Sequence, residues 1–220
     1  MGCGRKPFPQ VDIFRPSPQN IPMATDIDLL IANLHAFYDF RNKTVVSVGA
    51  GGGQLIEYGR PAEKIYAVDS SEEALGKLRE SLSRSGLEDK FTLVLSDFDR
   101  CEQRGNVVVF EFCLHEMPDP GAALEHAQKL AVDVLVLDHL PGSPWIYYAT
   151  EEKKAAGSWQ ALRSRPLRKF QEYETVQFFK DFEELRQKVS VMGEEAMRRI
   201  QPFAGRAEFT IPMTYGFALR

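Results

Sequence analysis

Cysteine is scarce in this 220-residue chain: Cys3, Cys101 and Cys113 are odd in number and show no C-x-x-C spacing. Neither a disulfide framework nor a zinc site is indicated, no metal is expected, and a reducing cytoplasm is the expected compartment. No apolar run reaches the length of a membrane span, and no apolar signal-peptide core is present. The start Met1-Gly2-Cys3 resembles a lipidation signal only superficially, because Lys6 stands where the myristoylation pattern wants Ser or Thr. Basic charge is also short, with 27 Lys and Arg against 31 Asp and Glu, so the expectation is no nucleic-acid partner and no membrane partner. Internal repeats and low-complexity tracts are missing. What remains, 44% apolar side chains in 220 residues, fits one domain with a full core.

The most informative stretch runs from Lys43 to Leu55, where a β-branched run feeds into Gly49, Gly51 and Gly53. Val45, Val46 and Val48 suit a strand buried on both faces. The alternating glycines permit positive φ and leave room for a ligand to approach the backbone, and amides exposed at a following helix start favour a polar or anionic group. Gln54 occupies the third glycine position of the dinucleotide fingerprint, so G-x-G-x-x-G fails and G-x-G-x-G holds. A second strand, Lys64–Val68, ends on Asp69, an acid placed to meet the two hydroxyls of a ribose.

Pro7, Pro9, Pro16, Pro18 and Pro22 make residues 1–24 an extended arm. A single domain is expected over 25–220. Thr25 and Asp28 form a capping-box-like start to a helix reaching about residue 40, and Ser70 with Glu73 starts another that stops at Gly86. Phe91–Leu95, Val107–Phe112 and Val134–Asp138 read as strands, and Asp119 with Pro120 opens a helix to about Ala131. This alternation implies an α/β fold with a largely parallel sheet and ligands at the carboxyl ends of its strands, near Gly49, Asp69, Asp97, Glu111 and Asp138. Residues 141–203 look mainly helical and rich in aromatics, the expected wall and cover of a substrate pocket. Arg163, Arg165, Arg168 and Lys169 read as a solvated face. The last stretch, 206–219, reads as two extended pieces broken near Pro212, closing the sheet edge as an antiparallel hairpin.

Taken together, V-V-S-V-G-A-G-G-G-Q-L, A-V-D-S-S, S-D-F and F-E-F-C-L-H-E-M-P-D-P resemble the ordered motifs of class I S-adenosylmethionine-dependent methyltransferases over about residues 43–140. The nearest likeness is to the small-molecule branch resembling quinone-biosynthesis methyltransferases. The resemblance implies a Rossmann-like, doubly wound, mostly parallel seven-stranded sheet with a C-terminal antiparallel hairpin. It implies S-adenosyl-L-methionine as cofactor and a small, apolar or aromatic methyl acceptor. By the same resemblance the cofactor would be bound by Ser47, Gly49, Ala50, Gly51, Gly53, Asp69, Ser70, Asp97, Phe98, Glu111 and Phe112. Ser47 departs from the pattern, standing where the family usually has an acid for the cofactor's ammonium, and Glu111 is an unusual carboxylate that would compensate. Asn106 departs too, where an Asp commonly opens the fourth strand.

Methyl transfer from a sulfonium is an in-line displacement, so alignment and exclusion of water are the main tasks. An acceptor that sheds a proton gains from a positioned base, and His115 is the first candidate, ahead of Glu116 and His139. Two other readings stay open at this stage: a methyltransferase-like domain that holds cofactor without turnover, and a nucleotide-dependent oxidoreductase.

Overall fold

The computed structural model of the chain describes residues 26–51 and 56–220. The expected N-terminal arm, Thr25 and Gly53 lie outside the described residues.

The first helix, α1 (Ile27–Phe37), is capped by Asp26, whose side chain accepts from the Leu29 amide, and it buries Leu30, Ile31, Leu34 and Phe37. Asp26 thus occupies the cap, and the helix ends three residues short of the expected stop. The strand β1 (Thr44–Val48) leads into the glycine turn, and a short 3-10 turn over Ile56–Gly59 takes the chain to β2 (Lys64–Asp69). Ser71 caps α2 (Glu72–Ser85) by accepting from the Ala74 amide, one residue beyond the expected cap Ser70. Gly86 ends that helix in the left-handed conformation at φ 64°. Next come β3 (Phe91–Leu95), β4 (Val107–Glu111), α3 (Pro120–Leu130) and β5 (Asp133–His139). Asp119 caps α3 and Pro120 opens it, as their sequence implies.

Beyond Pro141 the helices α4 (Pro144–Ala149) and α5 (Glu152–Arg163) are followed by a thirteen-residue strand, β6 (Lys169–Asp181), and then α6 (Phe182–Val189), α7 (Glu194–Arg199) and β7 (Ala207–Leu219). Residues 141–203 are helical over most of their length, and β6 crosses the middle of them. β7 is also one continuous strand. Pro212 does not break it, because Pro212 pairs with Val176 on β6 and lies beyond the last β5 partner, Tyr215. On that unpaired side a missing N–H costs little.

The seven strands form one sheet in the order β3-β2-β1-β4-β5-β7-β6. The first five are parallel and β7 runs antiparallel to both β5 and β6. This is the Rossmann-like seven-stranded arrangement expected, with both faces of its central strands buried: Val45, Val46, Val107, Val108, Val109, Leu135 and Val136 are fully inaccessible. One face packs α1 and the α4–α7 region through Leu34, Phe37, Trp145, Phe179 and Leu185, the other packs α3 and α5 through Leu124, Ala127, Trp159 and Leu162. Residues 207–214 of β7 extend past the carboxyl end of β5, still paired to β6, so the antiparallel β6–β7 pair, in place of a hairpin within 206–219, overhangs that edge of the sheet. Among the described residues no helix is long and apolar enough to cross a membrane.

Trp159 fixes α5 to this sheet. Its indole N–H donates to the His139 carbonyl at 2.7 Å, and its ring lies over Gly216, where an added Cβ would come within 2.6 Å of Cη2. A buried ring so held cannot retreat. Gly216→Ala is expected to cost about 1–3 kcal/mol, read as a lowered urea midpoint with an unchanged slope.

Candidate functional site

Because five strands run parallel, their carboxyl ends share one edge, and the strand order reverses between β1 and β4, where ligands of such sheets collect. The glycine turn stands at this point. Gly49 and Gly51 have φ of 67° and 51°, and a Cβ on Gly49 would meet the Cys113 side chain at 2.6 Å. Glycine is thus required at position 49 by conformation and by the loop following β4. Cys113 is buried and donates to the Val48 carbonyl, and burial pushes its thiol well above the ordinary range, which leaves it a packing residue.

Asp69, at the end of β2, secures the turn from the side. Its carboxylate accepts from the Gly51 amide at 3.0 Å and the Ser71 amide at 2.9 Å, one on each oxygen. A carboxylate has about four acceptor positions, so two remain for a ligand's hydroxyls.

Glu111 closes the floor between β1 and β4. The Ser47 hydroxyl donates to Oε1, and the Tyr58 hydroxyl donates to the same oxygen at 2.5 Å. Burial raises the Glu111 carboxyl to about 7, against the pull of those two hydroxyls, with Asp69 adding a further push upward. The groups facing this carboxylate are therefore two neutral hydroxyls and another acid. Such a site favours a cationic ligand group, which would repair the charge balance that burial disturbs.

A second cluster lies where the loop after β4 meets β5. The His115 ring is buried, with Nδ1 at 2.5 Å from Asp138 Oδ1 and Nε2 at 3.5 Å from Glu151 Oε2. Asp138, fully buried, also accepts from the backbone amides of His115 and His139. Burial opposes a charge on His115, yet the hydrogen bonds to Asp138 and Glu151 outweigh it and hold its pKa at about 10. Burial, with the neighbouring His115 charge, lowers His139 to about 3, and its Nδ1 is buried without a hydrogen-bond partner. Both ring nitrogens of His115, the first candidate base, are thus faced by carboxylates. His139 is a neutral ring packed against Phe112.

The remaining expected residues separate into two groups. Gly49, Gly51, Asp69, Glu111 and Phe112 come together at the β1–β4 crevice, and Phe112 holds a left-handed φ of 53°, a conformation that strained functional loops use. Ser47 and Ala50 are nearly inaccessible, Ser47 acting through Glu111 and Ala50 packing with Ile56 and Leu75. Phe98 faces the interior, edge-on to Phe110 and His126, while Asp97 and Ser70 are exposed. Trp145, Trp159 and Phe179 belong to the core, leaving Tyr147 and Tyr148 as the accessible aromatics of the α4 region. The basic run is largely partnered: Arg165 with Glu125, Arg168 with Asp133, and Arg163 over the Trp159 ring. Sequence reasoning missed Tyr58 and Glu151, whose contacts are with Glu111 and His115, 53 and 36 positions away.

A family model described as a methyltransferase domain matches residues 23–192. No curated protein matches the sequence. Solved structures similar to this one include a candidate methyltransferase from Bacillus halodurans, 15% identical with TM-score 0.62 over 88% of this chain and 97% of that one. A SAM-dependent methyltransferase from Aquifex aeolicus is 17% identical with TM-score 0.53 over 89% and 90%. Magnesium protoporphyrin IX methyltransferase from Synechocystis, with bound SAH, is 13% identical with TM-score 0.54 over 87% and 80%. These likenesses carry the fold.

The raised carboxyl of Glu111 has a definite sign. A folded pKa near 7 above an unfolded value near 4.5 makes the protonated acid the favoured native form, so its contribution falls as pH rises between those values. Glu111→Gln keeps an acceptor for Ser47 and Tyr58 and removes the titration. Urea unfolding at several pH values is expected to show the variant gaining on the wild type from about pH 4.5 to about pH 7.

Proposed function

The chain belongs to the methyltransferase-domain family, and on that premise we propose that it binds S-adenosyl-L-methionine at the β1–β4 crevice and methylates a small apolar or aromatic acceptor. The single observation that carries the reading is Glu111, a half-buried carboxylate faced by neutral hydroxyls beside a glycine turn.

The residues fit that cofactor chemically. Its ammonium or sulfonium supplies the positive charge Glu111 calls for, which makes up for the missing acid at Ser47. The two free acceptor positions of Asp69 suit ribose hydroxyls, and the Gly49–Gly51 backbone leaves space at the turn. Asp97, exposed just beyond β3, would accept from an adenine amino group. When bound, the cofactor supplies an electrophilic methyl group on sulfur.

The chain's own part is orientation and exclusion of water. Phe112, His139 and Tyr215 present packed rings beside the β4 and β5 ends, and ligand sites of this kind are mostly apolar with few polar anchors. His115 serves as a positioning residue that ties the loop after β4 to Asp138.

Calorimetric titration with S-adenosylhomocysteine tests the reading. Asp69→Ala is expected to abolish measurable binding. Glu111→Gln should weaken S-adenosylmethionine by about 10- to 100-fold, consistent with the loss of one charged hydrogen bond worth about 1.5–3 kcal/mol. Tight NADH binding without either sulfur nucleotide would return the reading to an oxidoreductase.

A further inference from the structure

We propose that His115, Glu116 and Glu151 form a binding site for one divalent cation of the manganese or zinc kind, beside the methyl-transfer crevice. Among the described residues they are one group whose His nitrogen and carboxylate oxygens all lie within 4.8 Å of one another. His115 Nε2 stands 3.5 Å from Glu151 Oε2 and 4.0 Å from Glu116 Oε1. Around a cation bonded at about 2.1 Å, neighbouring ligand atoms sit about 3.0 Å apart and opposite ones about 4.2 Å apart. The cluster closes on that geometry with shifts of several tenths of an ångström, and Glu116, with a side chain 61% exposed, is free to make them.

The support behind the ligands is already built. Asp138 holds His115 through Nδ1, which fixes the ring and leaves Nε2 aimed at Glu151. Metal-bound histidines are ordinarily braced by a carboxylate on the far nitrogen in this way. Asp138 cannot drift, because two backbone amides also donate to it.

Charge points the same way and does not depend on the imidazole. Asp138, Glu116 and Glu151 bring three carboxylates around one ring, while the other cation at hand is Lys154, 3.3 Å from Glu151 Oε1. Imidazole Nε2 with the two carboxylates makes a mixed nitrogen–oxygen donor set. An imidazole and two carboxylates suit manganese or zinc better than calcium, which takes oxygen ligands throughout. Glu151 stands at the N-terminal end of α5 and His115 in the turn after β4. Use of the cation to hold an acceptor oxygen rests on the methyl-transfer reading; the binding itself does not.

The test is a titration of the chelator-treated full chain with Mn²⁺ in the absence of any nucleotide, following free Mn²⁺ by electron paramagnetic resonance, with Zn²⁺ and Mg²⁺ as competing arms. One equivalent is expected to bind, with Zn²⁺ displacing it. Affinity should fall at least 10-fold in Glu116→Gln and in Glu151→Gln and stay unchanged in Glu125→Gln, an exposed acid on α3. Pulsed measurements should show nitrogen coupling in the wild type. Glu116→Gln alters an exposed side chain, so it decides the matter even if the buried variant folds poorly. Absence of saturable binding at one equivalent, or equal affinity in Glu116→Gln and wild type, would overturn the proposal. Because no methyl donor is present, failed turnover and failed metal binding are separate results.

Discussion

Parallel pairing of β1 with β2 on one side and β4 on the other is the constraint on which the molecule rests. It sends the chain ends of five strands to a single edge, and the residues there are Asp69, Glu111, Asp138 and His139. Three acids collected at one rim would repel one another and resist burial. Asp69 accepts from backbone amides, Glu111 from hydroxyls, and Asp138 from two backbone amides while it faces the His115 ring. The same pairing that builds the sheet therefore also sets the chemistry of its rim.

The two halves of that rim have opposite electrostatic character. Glu111 sits where burial disfavours its charge, with a pKa near 7, and its neighbours leave a positive charge to be brought from outside. His115 sits where carboxylates overrule burial and keep a charge on the ring. A ligand spanning the edge would meet a demand for a cation at β1 and β4 and an acid-lined, internally paired cluster at β5. This asymmetry gives the crevice a direction, which an in-line displacement requires.

Much of this was legible in the sequence. The apolar runs of β1, β2, β4 and β5 are buried on both faces, so their extents show as continuous hydrophobic stretches, and Asp119-Pro120 and Gly86 mark helix boundaries by local chemistry alone. β6 escaped because it is an edge strand studded with Lys169, Glu172, Glu174 and Lys180, which protects an edge but erases the alternation that identifies a strand. Pro212 misled for the complementary reason: whether proline ends a strand depends on which side is paired, a fact that only the register supplies. Glu111 and Asp69 stand at strand ends that the sequence pattern marks, whereas Tyr58 and Glu151 meet their partners only through tertiary contact. The charge state of His115 was likewise invisible, since it is decided by Asp138 and Glu151 together.

The overhang of β7 and β6 bears on how an acceptor could be selected. Eight residues of β7 beyond its last β5 partner correspond to roughly 25 Å of extended chain, hydrogen-bonded to β6 and underlain by Phe179, Ile211 and Met213 in the core. A boundary made of sheet cannot swing aside as a hinged loop does. Its height is set by strand register, so if it borders the acceptor, the limit it sets would be fixed when the chain folds and not when the ligand arrives. In this architecture, size discrimination would be a property of folding, inherited by every turnover without any closing motion.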